Sequence, residues 1–250
     1  MSDPPLPAGW LALRSHTPAR IALGRAGCGL PTVPHLAFQA AHARARDAVH
    51  VALDVPALCS AIASRGFETI AVESAAASRQ AYLRMPDLGR MLAEDSRAQL
   101  SQPMVAPDVV IVVGDGLSSV AVERNAVPVL EGLRLRLSDM GLRLAPVIVA
   151  THARVALADE IGELLQARLA IIMLGERPGL SAADSLGMYL TFAPRRGRVD
   201  SERNCISNIH AAGMTAEAAA TRATELIRSM LAHGASGVLL ATRALARVPS

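Results

Sequence analysis

Past Gln102 the chain alternates short, uniformly apolar runs with longer amphipathic ones, and this rhythm constrains the fold more than any other feature. The apolar runs are residues 109–113, 146–150, 169–174, 188–192 and 238–241, and the longer helical ones are 118–137, 155–167 and 215–232. Strands apolar on both faces, separated by helices of ten or more residues, predict an α/β fold: a Rossmann-like, doubly wound, mostly parallel sheet. Right-handed crossovers then bring the carboxyl ends of the strands to one edge. Three loops are expected there, 114–118 (GDGLS), 151–155 (THARV) and 175–180 (GERPGL). Ligands of open α/β sheets sit outside the carboxyl ends of the strands, so this edge is the inferred site.

The candidate groups on these loops each carry a bland reading beside a functional one. Asp115 stands between two glycines after a strand, where its carboxylate either meets a ligand or caps the next helix. Val155 opens a helix at the edge, and its ordinary role is core packing. Glu176 ends a strand inside a loop stiffened by Gly175, Pro178 and Gly179, so it either faces a ligand or pairs with Arg177. The run 203–209 (RNCISNI) lodges polar groups between isoleucines and reads as a buried polar loop. Within it Cys205 has no adjacent general base and is expected to pack and not to act as a nucleophile.

The first hundred residues read differently, as a small helical module (1–100) ahead of the sheet domain (101–250). Residues 1–10 hold three prolines and suggest an extended lead, with structure beginning near Leu11 and a helix start at Thr17-Pro18. Helices are expected at 34–50, 55–64 and 78–98, the last interrupted by Pro86. His42 and His50 flank Arg46 at helical spacing, and a fixed cation between two imidazoles makes a poor metal site. Arg79, Tyr82, Arg84 and Asp87 suit either a partner surface or local ion pairs. The glycines around Cys28 follow no strand, so a dinucleotide fingerprint fails on context. The tail 242–250 suggests disorder.

Composition removes several function classes. The net charge is +3 and all 25 basic side chains are arginine, scattered along the chain and not gathered into a tail. With aromatic residues at 2% the chain lacks the rings that stack on bases, so nucleic acid is not implied. No apolar run is long enough for a membrane helix and no signal peptide is evident, which predicts a cytoplasmic protein without a membrane partner. Three cysteines lie far apart without a CxxC, against both a disulfide framework and structural zinc.

Six runs, in order TPARIALGRAG (17–27), YLRMPDLGR (82–90), DGLS (115–118), RVALADEIGE (154–163), GERPGL (175–180) and RNCISNI (203–209), give the chain a family likeness. In this order the sequence resembles the small (light) subunit of ethanolamine ammonia-lyase. The resemblance implies that Val155, Glu176 and Cys205 contact adenosylcobalamin, between this chain and a large barrel subunit that holds the substrate and the radical chemistry. The two would convert ethanolamine to acetaldehyde and ammonia, in a higher heteromeric assembly, and the small subunit alone would be inactive. None of the seven histidines has an aspartate two residues before it, so the motif by which some proteins supply a cobalt ligand is missing, and a base-on cofactor without a cobalt ligand from this chain is expected. No acid, base or nucleophile of the reaction is assigned to it. Many members of that family carry a longer front that addresses them to a bacterial microcompartment, and the short arm here puts that address in question. The rival readings are a free-standing cobalamin carrier or chaperone, and a nucleotide-dependent α/β enzyme.

Overall fold

The computed structural model describes residues 8–101 and 105–246. Its centre is a six-stranded sheet built from β1 (Thr69–Glu73), β2 (Val109–Gly114), β3 (Val147–Thr151), β4 (Leu169–Gly175), β5 (Leu186–Phe192) and β6 (Arg203–Ile209), in the order β1-β3-β2-β4-β5-β6. β1, β3, β2 and β4 run parallel, while β5 is antiparallel to both β4 and β6. The mostly parallel α/β architecture expected from the apolar rhythm is therefore present.

Alternation along the central strands supplies two cores. Val109, Ile111 and Val113 face α3 (Val55–Ala63), α6 (Ser119–Asp139) and α8 (Ala216–His233), whereas Val110 and Val112 face α5 (Glu94–Leu100) and α7 (Leu157–Leu164). Each face is continuous because successive side chains of a strand point to opposite sides. The helix α6 follows β2 toward one face and α7 follows β3 toward the other, and the chain then crosses β2 to reach β4. The carboxyl ends of β2, β3 and β4 therefore flank a switch point, where two neighbouring loops diverge and leave a crevice.

Several elements differ from the sequence expectation, each for a local reason. The run 238–241 lies in α9 (Gly237–Leu245) and is no strand: four apolar residues fit either period, and only Leu240 of them is buried. RNCISNI is the edge strand β6 and not a loop, with Arg203, Ile206 and Ile209 buried and the residues between them partly or fully exposed. β1 was missed because a single one of its five residues is fully buried. The chain at Thr17-Pro18 is non-helical; the helices before it and after it are α1 (Ala8–Arg14) and α2 (Thr32–His50). The 78–98 stretch divides at Pro86 into α4 (Arg79–Arg84), a short 3-10 turn at Leu88–Arg90 and α5. Helix α1 also takes up residues 8–10 of the expected extended lead, and α9 takes up residues 242–245 of the expected disordered tail; residues 1–7 and 247–250 lie outside the described residues. Among the described residues no helix is long and apolar enough to cross a membrane.

Candidate functional site

The three rim loops converge on one cavity of about 320 Å³. Gly116 and Leu117 come from the loop after β2, Ala153, Arg154 and Val155 from the loop after β3, and Glu176 and Arg177 from the end of β4. Tyr82 of α4 and Tyr189 of β5 complete the wall. The floor is apolar and the rim polar, the composition of a ligand cleft.

Asp115 locks the loops together from below. Its Oδ1 accepts from the Ala153 N–H at 3.0 Å and its Oδ2 from Arg79 Nη1 at 3.1 Å. Arg79 in turn donates to the Gly116 carbonyl at 2.7 Å and to the Val49 carbonyl at 2.8 Å. One buried carboxylate thus ties the β2 and β3 loops to α4 and the end of α2. Burial outweighs these donors and holds the Asp115 carboxyl above its ordinary range. The cap of α6 is Ser118, whose side chain accepts from the Ala121 N–H. Asp115 is therefore neither the helix cap nor a group lining the cavity, the two roles the sequence left open.

Tyr82 is almost completely buried, and it is gripped by cations on two sides. The Arg79 guanidinium lies 4.8 Å and that of Arg154 4.3 Å from its ring centre, and the His152 ring stacks at 6.0 Å. Burial pushes its phenol up to about 12, so the hydroxyl stays protonated and donates to the Ala153 carbonyl. Of Arg79 and Tyr82, read from sequence as a partner surface or as local ion pairs, Tyr82 lines the cavity and Arg79 braces the loops behind it.

Glu176 is half-buried and does not pair with Arg177. It accepts from the Ser185 hydroxyl and from the Asn208 N–H at 3.3 Å, and its own N–H closes the loop onto the Ser185 carbonyl at 2.9 Å. Asn208 adopts a left-handed φ of 63°, a conformation asparagine tolerates better than most side chains. Val155 sits in the turn before α7, packs partly against the core of that face, and lines the cavity. Cys205 lies midway along β6 opposite Tyr189, on the exposed side of an edge strand, so it does not pack inside. Tyr189 is its cross-strand neighbour; partial desolvation and the Glu176 carboxylate raise the thiol above its ordinary range and leave it protonated at neutral pH. Val155 and Glu176 therefore share one cavity, and Cys205 is one side chain away through Tyr189. Tyr82, Arg154, Tyr189, Ser185 and Asn208 were not read as site residues; Tyr189 stands inside an apolar run and carried no signal of its own.

An open, mostly parallel sheet with a crevice at its switch point defines an α/β protein with a candidate small-ligand cleft. Residues 7–241 match the family model described as ethanolamine ammonia-lyase light chain (EutC). The chain is similar to the ethanolamine ammonia-lyase small subunit of Pseudomonas syringae pv. tomato, 51% identical over 235 residues covering 92% of this chain and 82% of that one. It is likewise 49% identical to the small subunit of Ralstonia nicotianae, with 92% and 87% covered, and 48% identical to that of Xanthomonas campestris pv. campestris, with 96% and 90% covered. The chain belongs to the ethanolamine ammonia-lyase light-chain family.

Proposed function

We propose that this chain is the small subunit of an adenosylcobalamin-dependent ethanolamine ammonia-lyase and forms one wall of its cobalamin site. The observation that carries the reading is the meeting of Val155 and Glu176 at one switch-point cavity, with Cys205 beside them, in a chain about half identical to proteins of that name. A corrinoid is several times larger than a cavity of 320 Å³, so this rim is suited to a wall and not to an enclosure. That supports a site completed by a large barrel subunit. Apolar side chains left in water suit a partner surface, and Trp10, Leu11 and Leu13 of α1 and Val33, Leu36 and Phe38 of α2 are all exposed.

The fit of the group rests on the donor set. Corrin side chains are amides, which both donate and accept, and the rim offers the Glu176 carboxylate as acceptor and the protonated Tyr189 hydroxyl as donor beside the apolar Val155, Leu117 and Leu174. Val155 presses on the ligand edge, Glu176 and Cys205 orient its amides, and the sheet rim keeps water from that side. The homolytic chemistry is the cofactor's when bound, and the substrate lies in the large subunit, so this chain holds no reacting proton. The assembly is expected in the cytoplasm, with the cofactor base-on.

Glu176→Ala tests this. In the assembled complex it should weaken cyanocobalamin retention about tenfold or more, the worth of charge-assisted hydrogen bonds, while the thermal midpoint of the isolated chain stays near that of the parent. Equal cyanocobalamin affinity in the two would remove Glu176 from the site.

A further inference from the structure

Beside the rim cavity, and sharing Arg154 and Val155 with it, lies a larger cleft of about 780 Å³. Five arginines line it, Arg90, Arg154, Arg196, Arg198 and Arg203, against two aspartates, Asp159 and Asp200. Four of the five already have carboxylates. Arg203 pairs with Asp159 and with Asp200, Arg198 with Glu202, Arg196 with Glu160 at 3.2 Å and Arg90 with Asp87 at 3.2 Å. Arg154 has no carboxylate among the described residues.

Arg154 is nonetheless held firmly. Its N–H donates to the Gly89 carbonyl at 2.7 Å, its Nη2 donates to the Tyr82 carbonyl at 3.2 Å, and its guanidinium stacks on the Tyr82 ring. A Cβ at Gly89 would come within 2.7 Å of Arg154 Cγ, so the glycine leaves the space in which the side chain lies. What it lacks is an acceptor: its Nε is buried and unpartnered. Arg203, whose side chain is 4% exposed, has a buried, unpartnered Nε in the same cleft, and Asp159 a buried, unpartnered Oδ1. A buried guanidinium N–H left without an acceptor is costly, and two of them in one cation-rich cleft call for an anionic ligand. The planar fork of an arginine guanidinium matches the oxygens of a phosphate.

We propose that this cleft is a phosphate subsite, with Arg154 and Arg203 donating to the phosphate oxygens and Asp159 Oδ1 accepting from a hydroxyl or amide next to them. Because Arg154 and Val155 line both the cleft and the rim cavity, the phosphate is taken as a phosphodiester of the same ligand that meets Glu176; this source, though not the subsite itself, rests on the cobalamin reading, since a base-on cobalamin carries one phosphodiester in its nucleotide loop. A free phosphate ion is the other source of the same chemistry.

The test compares the complex of parent and Arg154→Gln chains with the large subunit, titrated with cyanocobalamin, with cobinamide, which lacks the phosphate and nucleotide, and with inorganic phosphate. The expected result is a loss of about tenfold or more in cyanocobalamin affinity with cobinamide affinity within twofold, the latter also showing that the variant is folded. Should neither corrinoid bind the parent complex, the cobalamin reading fails; phosphate binding that disappears in Arg154→Gln would then uphold the subsite with the free ion as its occupant. Equal losses for cyanocobalamin and cobinamide, an unchanged cyanocobalamin affinity, or corrinoid-free complexes whose phosphate binding ignores Arg154 would each overturn it.

Discussion

Gly175→Ala will destabilise the chain by about 3 kcal/mol, near the top of the range for overpacked interiors. A Cβ at Gly175 would lie 2.0 Å from the Ser118 carbonyl oxygen, 2.6 Å from its carbon and 2.8 Å from the Asp115 carbonyl oxygen. All three are backbone atoms, which cannot swing aside as a flexible side chain would. They also belong to the β2 loop, whose Leu117 N–H donates to the Gly175 carbonyl at 2.8 Å, so relief requires the two rim loops to separate. The expected fall in thermal midpoint is about 6–12 °C for a chain of this size. Gly141→Ala is the control: its φ is +67°, but an added Cβ meets nothing within 4 Å, so only backbone strain of about 1 kcal/mol applies. Equal midpoints for the two variants would mean that the loops after β2 and β4 are not packed as described.

Asp115→Ala removes the other fastening of the rim and should cost about 3–5 kcal/mol, the loss that follows when one partner of a buried ion pair is deleted. Arg79, with its side chain 18% exposed, would keep its bonds to Val49 and Gly116 but lose its counter-charge, and the Ala153 N–H would lose its acceptor. Its Nη2 is already buried without a partner, so the guanidinium has little remaining compensation. Asp87→Ala breaks a pair in which the aspartate side chain is 84% exposed, and should change stability by less than about 0.5 kcal/mol. Urea unfolding of both variants checks the contrast. A cost for Asp115→Ala as small as that for Asp87→Ala would show that the carboxylate does not hold the loops.

The central sheet and the convergence of its loops were legible because β2, β3 and β4 are buried on both faces and so are apolar along their length, with Thr151 at the end of β3 the one exception. Edge elements were not. β1 and β6 each turn one side to solvent, so Thr69, Glu73, Asn204 and Ser207 interrupt the apolar signal that marks a buried strand. The α9 error has the opposite origin, since 238–241 looks like a strand until the exposure of Val238 and Leu239 reveals a helical face.

The site divides in the same way. Glu176 could be singled out because its loop carries its own local signal, Gly175 and Pro178 after a strand. Asp115 could be noticed but not understood: its partner Arg79 is 36 residues away and comes from a stretch that reads as an ordinary surface helix. Cys205 was expected to pack because no general base adjoins it in sequence, and only the register of β6 against β5 puts it on the open side, opposite Tyr189. The arginine cleft had no sequence signal, because its arginines come from three distant stretches, at 90, 154 and 196–203, and arginine is the chain's sole basic side chain.

The account stands on the rim of β2, β3, β4 and their neighbours β5 and β6 being covered by a corrinoid in the assembled enzyme. Cys205 reports on that directly, as an exposed thiol beside Tyr189 and Glu176, with the exposed Cys28 as an internal reference. The deciding measurement is the rate of iodoacetamide alkylation at each cysteine in the complex with the large subunit, without and with saturating cyanocobalamin. The account predicts that cyanocobalamin slows alkylation at Cys205 severalfold and leaves Cys28 unchanged; an unaltered Cys205 rate while cyanocobalamin is bound would contradict it.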